Sequence, residues 1–407
     1  HPGIPVSIAN TPNGTYIDPQ IFDMSAYNVY IYNPVTVNHT HRYTAYIEYL
    51  RSLRQDDHPL VITELGLSTS PSGPGNWGYG GNTTSEQSEG NLHMYRAAID
   101  GGATGVCMFN YADGWWKGGN EYSHDDHPEE WFGLVYYEDL QDHLGTPRPV
   151  WEAVSEFNRA IVCSPKNGGI FNNNVPVELF LDDTITAFQV LKEGNVVHNS
   201  LIPSNYFTDT LMLGSMQEDV RLKFRFFNSE YSIVKEEDIQ ILQTVENWQM
   251  PDLTLETSLE NWNQPEQVEI NIEIQHDLSL DHAGMLDYAT YRHQGFDYGN
   301  AYDMILPATI ENYTFSYSEY ITEQSPVVTF AAGYDLVYRD FNKRVYDQEM
   351  LVFDGYMGIR PGPVAEEKIV MKIYPNPSQD HFSFSYDDPS LTGTPFTIYD
   401  IYGHCVM

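Results

Sequence analysis

The chain has 407 residues and carries 20 Lys and Arg against 57 Asp and Glu, a net charge of −37. A surface this negative repels phosphate backbones and anionic lipid, which excludes nucleic acid and electrostatic membrane docking as partner classes. A hydrophobic fraction of 41% with 14% aromatic residues is ample for packed cores, and the length calls for more than one.

The chain begins His1-Pro2-Gly3, without an initiator Met or a signal sequence, and we read this as a start inside a longer protein. Four short apolar runs follow, at 5–9, 27–31, 60–63 and 105–110, each suited to a buried parallel strand. Between the second and third, Tyr43, Ile47, Leu50 and Leu53 or Arg54 recur at helical spacing. Between the third and fourth, Thr84 and Gln87 read as a capping box, with Gly101-Gly102 as the stop. Pro149 opens a further helix with Val150, Val154, Phe157 and Ile161 on one face. Such strand–helix alternation predicts an α/β domain over 1–163. A (β/α)8 barrel needs about 250 residues, so this stretch is half of one.

From 164 the helical period fades and alternating strands take over, at 175–181, 187–191 and 220–227, with turns at Asn167-Gly168-Gly169 and Glu193-Gly194-Asn195. These predict an Ig-like β-sandwich module over 164–245. A second β-rich module spans 246–365, with strands at 268–274, 327–330 and 350–353, and the turn-rich Arg360-Pro361-Gly362-Pro363 closes it. Residues 366–407 hold two more alternating runs, 381–386 and 396–401. Of three cysteines, Cys107 lies in an apolar run and reads as a small core residue; three cysteines make no disulfide framework, and neither a metal nor a cofactor is implied. No apolar run approaches the ~18 residues of a transmembrane helix.

The residues that carry chemistry begin with Ile62-Thr63-Glu64-Leu65-Gly66, where an apolar strand ends on a carboxylate and a glycine lets the chain turn. A carboxylate there can be a nucleophile, a base or a structural ion-pair member. Three segments taken together resemble the catalytic barrel of glycoside hydrolase family 2, a retaining (β/α)8 enzyme family. Asp23-Met24-Ser25-Ala26-Tyr27-Asn28-Val29-Tyr30 resembles its sixth strand. Ile62-Thr63-Glu64-Leu65-Gly66 resembles its seventh, with the nucleophilic Glu, and Phe109-Asn110-Tyr111-Ala112-Asp113 its eighth, with Phe109 replacing the usual Trp. The resemblance implies a fold of the C-terminal half of a TIM barrel followed by all-β sandwich domains. It also implies that Glu64 is the nucleophile and that Tyr30 donates a hydrogen bond that orients it. Asn110 and Asp113 would line the pocket, and Trp115 and Trp116 would stack on a sugar or pack in the core. The polar stretch 122–133, with His124 and Asp125, would form a substrate-facing loop.

Retaining hydrolysis uses two carboxyl groups about 5–5.5 Å apart. In the resembled family the acid/base Glu ends the fourth strand, upstream of His1 in this register, so the chain alone is expected to be inactive. At the other end, Lys372-Ile373-Tyr374-Pro375-Asn376-Pro377, Phe382-Ser383-Phe384 and Phe396-Thr397-Ile398-Tyr399-Asp400-Ile401-Tyr402-Gly403 resemble a type IX secretion sorting domain. That resemblance implies a Bacteroidetes-type source, passage through the periplasm, engagement of the type IX machinery, and release to the surface or medium. The reading is a fragment of an exported β-glycosidase acting on neutral oligo- or polysaccharides. A non-catalytic glycan-binding or adhesion protein and a transglycosylase are the alternatives.

Overall fold

The structure is a computed structural model. It describes residues 4–10, 22–32, 40–54, 58–118, 122–139, 141–202, 204–214, 218–244, 248–259, 262–275, 283–293, 301–306, 312–322, 327–352, 372–375 and 382–385.

Strands β1 (Ala9–Asn10), β2 (Ser25–Asn28), β3 (Leu60–Leu65) and β4 (Gly105–Met108) form one parallel sheet in the order β1-β2-β3-β4. Helix α1 (Thr40–Ser52) connects β2 to β3, and α2 (Thr84–Asp100) connects β3 to β4. Tyr43, Tyr46, Ile47 and Leu50 of α1, Met94, Ala97 and Ala98 of α2, and Tyr27, Leu60 and Ile62 of the strands make a single core on the helical side. The opposite side of the sheet carries Ala26, Val61, Thr63, Gly105 and Cys107, smaller residues placed there by strand alternation. The described residues close no barrel.

Several local expectations shift. The first run contributes only two paired residues, and Ile4, Val6 and Ile8 are exposed, because β1 is an edge strand with no outer neighbour to bury them. The α2 cap sits one residue earlier than expected: Thr83 is the N-cap, its hydroxyl accepts from Glu86 N at 3.1 Å, and Glu86 Oε2 accepts from Thr83 N at 2.7 Å. Helix α3 (Pro149–Asn158) begins at Pro149 as the ring geometry favours, yet ends before Ile161, which lies in the strand that follows. Cys107 is exposed rather than in the core, because β4 is the other edge strand and this residue faces away from the helices.

Two short strands, β5 (Val135–Tyr136) and β6 (Thr146–Pro147), pair before α3. Then β7 (Ala160–Ser164), β8 (Gly169–Phe171), β9 (Asn174–Leu181), β10 (Ala187–Lys192), β11 (Asn195–Leu201), β12 (Tyr206–Met212), β13 (Glu218–Phe227) and β14 (Ile233–Gln243) form a β-sandwich. Its sheets run β11-β10-β13-β14-β8 and β12-β9-β7. Alternation fills the space between them: Val175, Val177, Leu179 and Leu181 point inward from β9 to meet Phe188, Phe224 and Phe226. The β10–β11 hairpin turns through Glu193 (φ +50°) and Gly194 (φ +79°), the left-handed pair that a two-residue hairpin loop requires.

A second β-rich unit follows: β15 (Asp252–Thr257), β16 (Glu266–Gln275), β17 (Ala283–His293), β18 (Ala301–Leu306), β19 (Asn312–Ile321), β20 (Val327–Tyr338) and β21 (Phe341–Val352). Sheets β15-β16-β19 and β18-β17-β20-β21 enclose Trp262, Ile270, Ile272, Phe330 and Tyr334. This unit leans on α1. Tyr346 packs edge-on against Tyr46 and Tyr49, and Arg42 of α1 pairs with Asp287, which Arg344 also engages. Strands β22 (Lys372–Pro375) and β23 (Phe382–Ser385) pair antiparallel. The linker at 360–363, the run 396–401 and Cys405 lie outside the described residues. No described helix is long and apolar enough to cross a membrane.

Candidate active site

Strand β3 delivers Glu64 at its C-terminal end, partly buried. The position is held from both sides: Val29 N donates to Glu64 O at 2.8 Å, and Phe109 N to Leu65 O at 2.7 Å. Gly66 is needed next, since a Cβ there would overlap Phe109 O. One residue back, Thr63 Oγ1 donates to Asn28 Oδ1 at 2.7 Å, tying β3 to β2.

Tyr30 leaves the end of β2 and places its hydroxyl 2.7 Å from Glu64 Oε2, donating to it. Burial, then the hydrogen bond to Glu64 and that carboxylate's charge, hold the Tyr30 phenol well above its ordinary value. It therefore stays protonated, and a donor, throughout the range in which proteins fold. Around the pair stands an aromatic wall. Tyr32 stacks on Tyr30 at 5.3 Å, Phe132 and Phe109 meet Tyr30 edge-on at 5.9 and 6.5 Å, and Tyr79 lies 5.4 Å from Tyr32. The Phe109–Asn110 peptide is cis.

A polar group closes the ring. Glu129 accepts from Tyr79 Oη at 2.9 Å and pairs with Lys117 at 3.0 Å, while the Lys117 ammonium lies 4.2 Å above the Phe109 ring. The charges of Glu129 and Glu64 both raise the Tyr30 and Tyr32 phenols, placing Glu129 within electrostatic reach of the Glu64 pair.

The other expected site residues divide. Asn110 follows the end of β4, and its backbone pairs with Phe132 and Leu134, so its position is that of a wall residue. Asp113 does not line an open pocket. Its carboxylate is buried, bidentate to Arg148 at 2.7 Å for both contacts, and accepts from Gly133 N at 2.8 Å. Trp115 is buried beside His124 at 4.7 Å, whereas Trp116 is 64% exposed. His124 packs between Trp115 and Trp131, with Asp113 Oδ2 3.8 Å away, beyond hydrogen-bond distance. Burial, with the nearby Arg148 charge, pushes the His124 pKa below its ordinary value against the opposing pull of Asp113 and Asp125. Asp125 is used locally: Oδ1 accepts from His127 N at 3.0 Å and its carbonyl from Trp131 Nε1 at 2.7 Å. Within the stretch expected to face substrate, His124 thus turns inward toward the Asp113–Arg148 pair, while Tyr122, Ser123, Asp125, Asp126 and His127 stay exposed. No group of three potential metal ligands occurs among the described residues.

Tyr32, Tyr79 and Lys117 were not singled out in the sequence, and Glu129 and Phe132 only as members of the 122–133 stretch. Only Tyr79 carried a local signal, sitting in the glycine-dense run 73–81 whose Gly73, Gly75, Gly80 and Gly81 have positive φ.

No family model matches the sequence, and no curated protein matches it. Among solved structures, Bacteroides uniformis β-glucuronidase 2 is similar at 11% identity and a TM-score of 0.28, covering 85% of this chain and 47% of that one. A Parabacteroides merdae β-glucuronidase is similar at 8% identity and a TM-score of 0.23, covering 81% and 42%. The fibronectin(III)-like modules of Clostridium thermocellum CbhA match at 11% identity and a TM-score of 0.25, covering 48% of this chain and 93% of theirs. The chain spans just under half the length of these β-glucuronidases.

Proposed function

We propose that this chain carries the nucleophile half of a retaining β-glycosidase of the family 2 type. In this reading β1–β4 are the fifth to eighth strands of a (β/α)8 barrel, residues 164–245 and 246–365 are accessory modules, and 366–407 belong to a sorting domain. The single observation that supports it best is the 2.7 Å Tyr30–Glu64 hydrogen bond across the C-terminal ends of adjacent parallel strands. That is the end of a parallel barrel at which catalytic groups sit.

Glu64 attacks the anomeric carbon, the glycosidic C–O bond breaks, and a glycosyl-enzyme ester forms. Tyr30 keeps the attacking oxygen aligned, and the aromatic wall presents apolar faces to the pyranose ring. Protonation of the leaving oxygen falls to a second carboxyl group, which we assign to a strand of the half barrel not contained in this sequence. Glu129 is already engaged by Lys117 and Tyr79. Export by the type IX machinery to the cell surface or medium, from a Bacteroidetes-type cell, completes the proposal.

The test is covalent trapping. An intact parent chain treated with a mechanism-based cyclitol epoxide is expected to carry the label on the peptide containing Glu64, and Glu64→Gln should abolish both label and turnover. A label on another carboxylate, or undiminished turnover by that variant, would sink the assignment.

A further inference from the structure

Where α1, the β7–β8 connection and β21 meet lies an open cleft of ≈ 440 Å³. That volume is in the range of small-molecule sites, about 300–1,000 Å³. Its walls include Glu48, Lys166, Phe171, Trp248 and Lys343. The charge here runs against that of the whole molecule. Lys343 pairs with Glu48, but Lys166 has no carboxylate within ion-pair distance among the described residues. Its ammonium is packed beside Gly102 and the Arg51 side chain, and Arg51 donates to Gly102 O at 2.8 Å. Asp100, the remaining nearby acid, is taken up by Arg96 and by Asn167 N at 2.9 Å. Lys166 and Lys343 therefore line the cleft with a single acid, Glu48, which Lys343 already engages, in a chain of net charge −37. Burial and the two neighbouring cations push Lys166 below its ordinary value, with burial the largest cause and Glu48 and Asp100 opposing.

Two features shape the ligand. A lysine without a carboxylate partner favours an oxyanion, which its ammonium binds through charge-assisted hydrogen bonds. Phe171 and Trp248 supply aromatic surface, and the Trp248 indole N–H is buried with no acceptor among the described residues, a donor left for a ligand hydroxyl or carbonyl. We infer that this cleft is a second binding site, separate from Glu64, for a saccharide ring bearing one oxyanion, a carboxylate or a sulfate.

Calorimetric titration of the full chain with D-galacturonate, galactose 6-sulfate, D-galactose and sodium sulfate tests this. At low salt an acidic sugar is expected to bind with a dissociation constant on the order of 1 mM, with the preferred substituent identifying the source. Galactose and inorganic sulfate should each bind at least about tenfold more weakly. Lys166→Met, which strands no carboxylate, should weaken the acidic sugar by about tenfold, whereas Glu48→Gln should tighten it several-fold. Opposite effects from two neighbouring substitutions are not expected of a general loss of folding. The inference is overturned if neither acidic sugar binds, if galactose or bare sulfate binds as tightly, or if the two variants move affinity together or not at all.

Discussion

The sandwich β7–β14 and the parallel sheet β1–β4 handle their two faces differently. In the sandwich each sheet turns one face onto the other, and Phe188, Phe224 and Phe226 are fully buried between them. In the parallel sheet the helical side is so covered, whereas on the other side Ala26 is buried but the remaining residues are less so. Leu60 and Ile62 are buried, their neighbours Val61 and Thr63 only partly, and Cys107 lies open. A sheet that seals both layers needs nothing further; one that seals a single face presents the other to something else. In our reading that other face is the inside of a barrel, and Glu64 stands at its rim.

The contrast can be broken most strongly in the sealed cores. Phe224→Ala, which empties the space between the two sandwich sheets, should cost about 3–5 kcal/mol by urea unfolding. Val61→Ala, on the less covered face, should cost well under that, about 1 kcal/mol or less. Equal losses would show that the open face is packed after all. A loss as large as that of Phe224→Ala is expected from Arg148→Ala for a different reason: Asp113, with a side chain 0% exposed, would keep its charge without a partner. Breaking a buried pair in this way costs about 3–5 kcal/mol. If instead the variant is as stable as the wild type, Asp113 is free to turn outward, and its sequence-based placement in the pocket wall is restored.

How far the sequence could be read follows the same division. The placement of Glu64 was legible because it closes a short apolar run, and the end of a parallel strand is a local property; the contact with Tyr30 was expected only from the family resemblance. The polar belt was legible only in part: Glu129 lies in the 122–133 stretch, but Tyr79 and Lys117 come from other loops, and only folding makes the three neighbours. Asp113 was assigned to the pocket by the family resemblance alone, and His124 by a run rich in His and Asp; neither carries a sign of the ion pair around which they pack. The partner in that pair, Arg148, is 35 residues away from Asp113. Cys107 was misread because an apolar run says nothing about which strand will be at an edge. In the sandwich, alternation was a sound guide, since with one face inward the period of two determines burial directly.

Thiol chemistry sharpens the comparison at its weakest point. Cys107 is exposed, whereas burial pushes the Cys163 thiol up to about 11. A thiol raised by two units from the usual value carries about 100-fold less thiolate near neutral pH. Peptide mapping after brief alkylation of the native chain at pH 8 should therefore find the exposed Cys107 modified at least about tenfold faster than Cys163. In the closed barrel that we propose, Cys107 should become protected. Continued reactivity there would argue against the closed barrel.

The smallest effect concerns how the sheet's covered side reaches the site. The first turn of α2 is fixed by the reciprocal Thr83–Glu86 cap, and the next residue, Gln87, donates through Nε2 to Leu67 O at 3.0 Å and Gly133 O at 3.3 Å. Leu67 lies three residues past Glu64, and Gly133 follows Phe132 of the aromatic wall. The cap is thus one bond removed from the segments that frame the carboxylate. Thr83→Ala should cost about 1 kcal/mol. Amides in the first turn of α2 should then exchange about fivefold faster, with a smaller increase at 66–69 and 131–133. Acid should mimic the substitution in part. Hydrogen bonds from Thr83 lower the Glu86 pKa from 4.5 in the folded chain, so its contribution is complete above the unfolded value and disappears as pH falls through the folded one. Faster exchange confined to α2 would mean that the helix start and the Glu64 loop are independent; a matched rise in both would make the cap a support of the site.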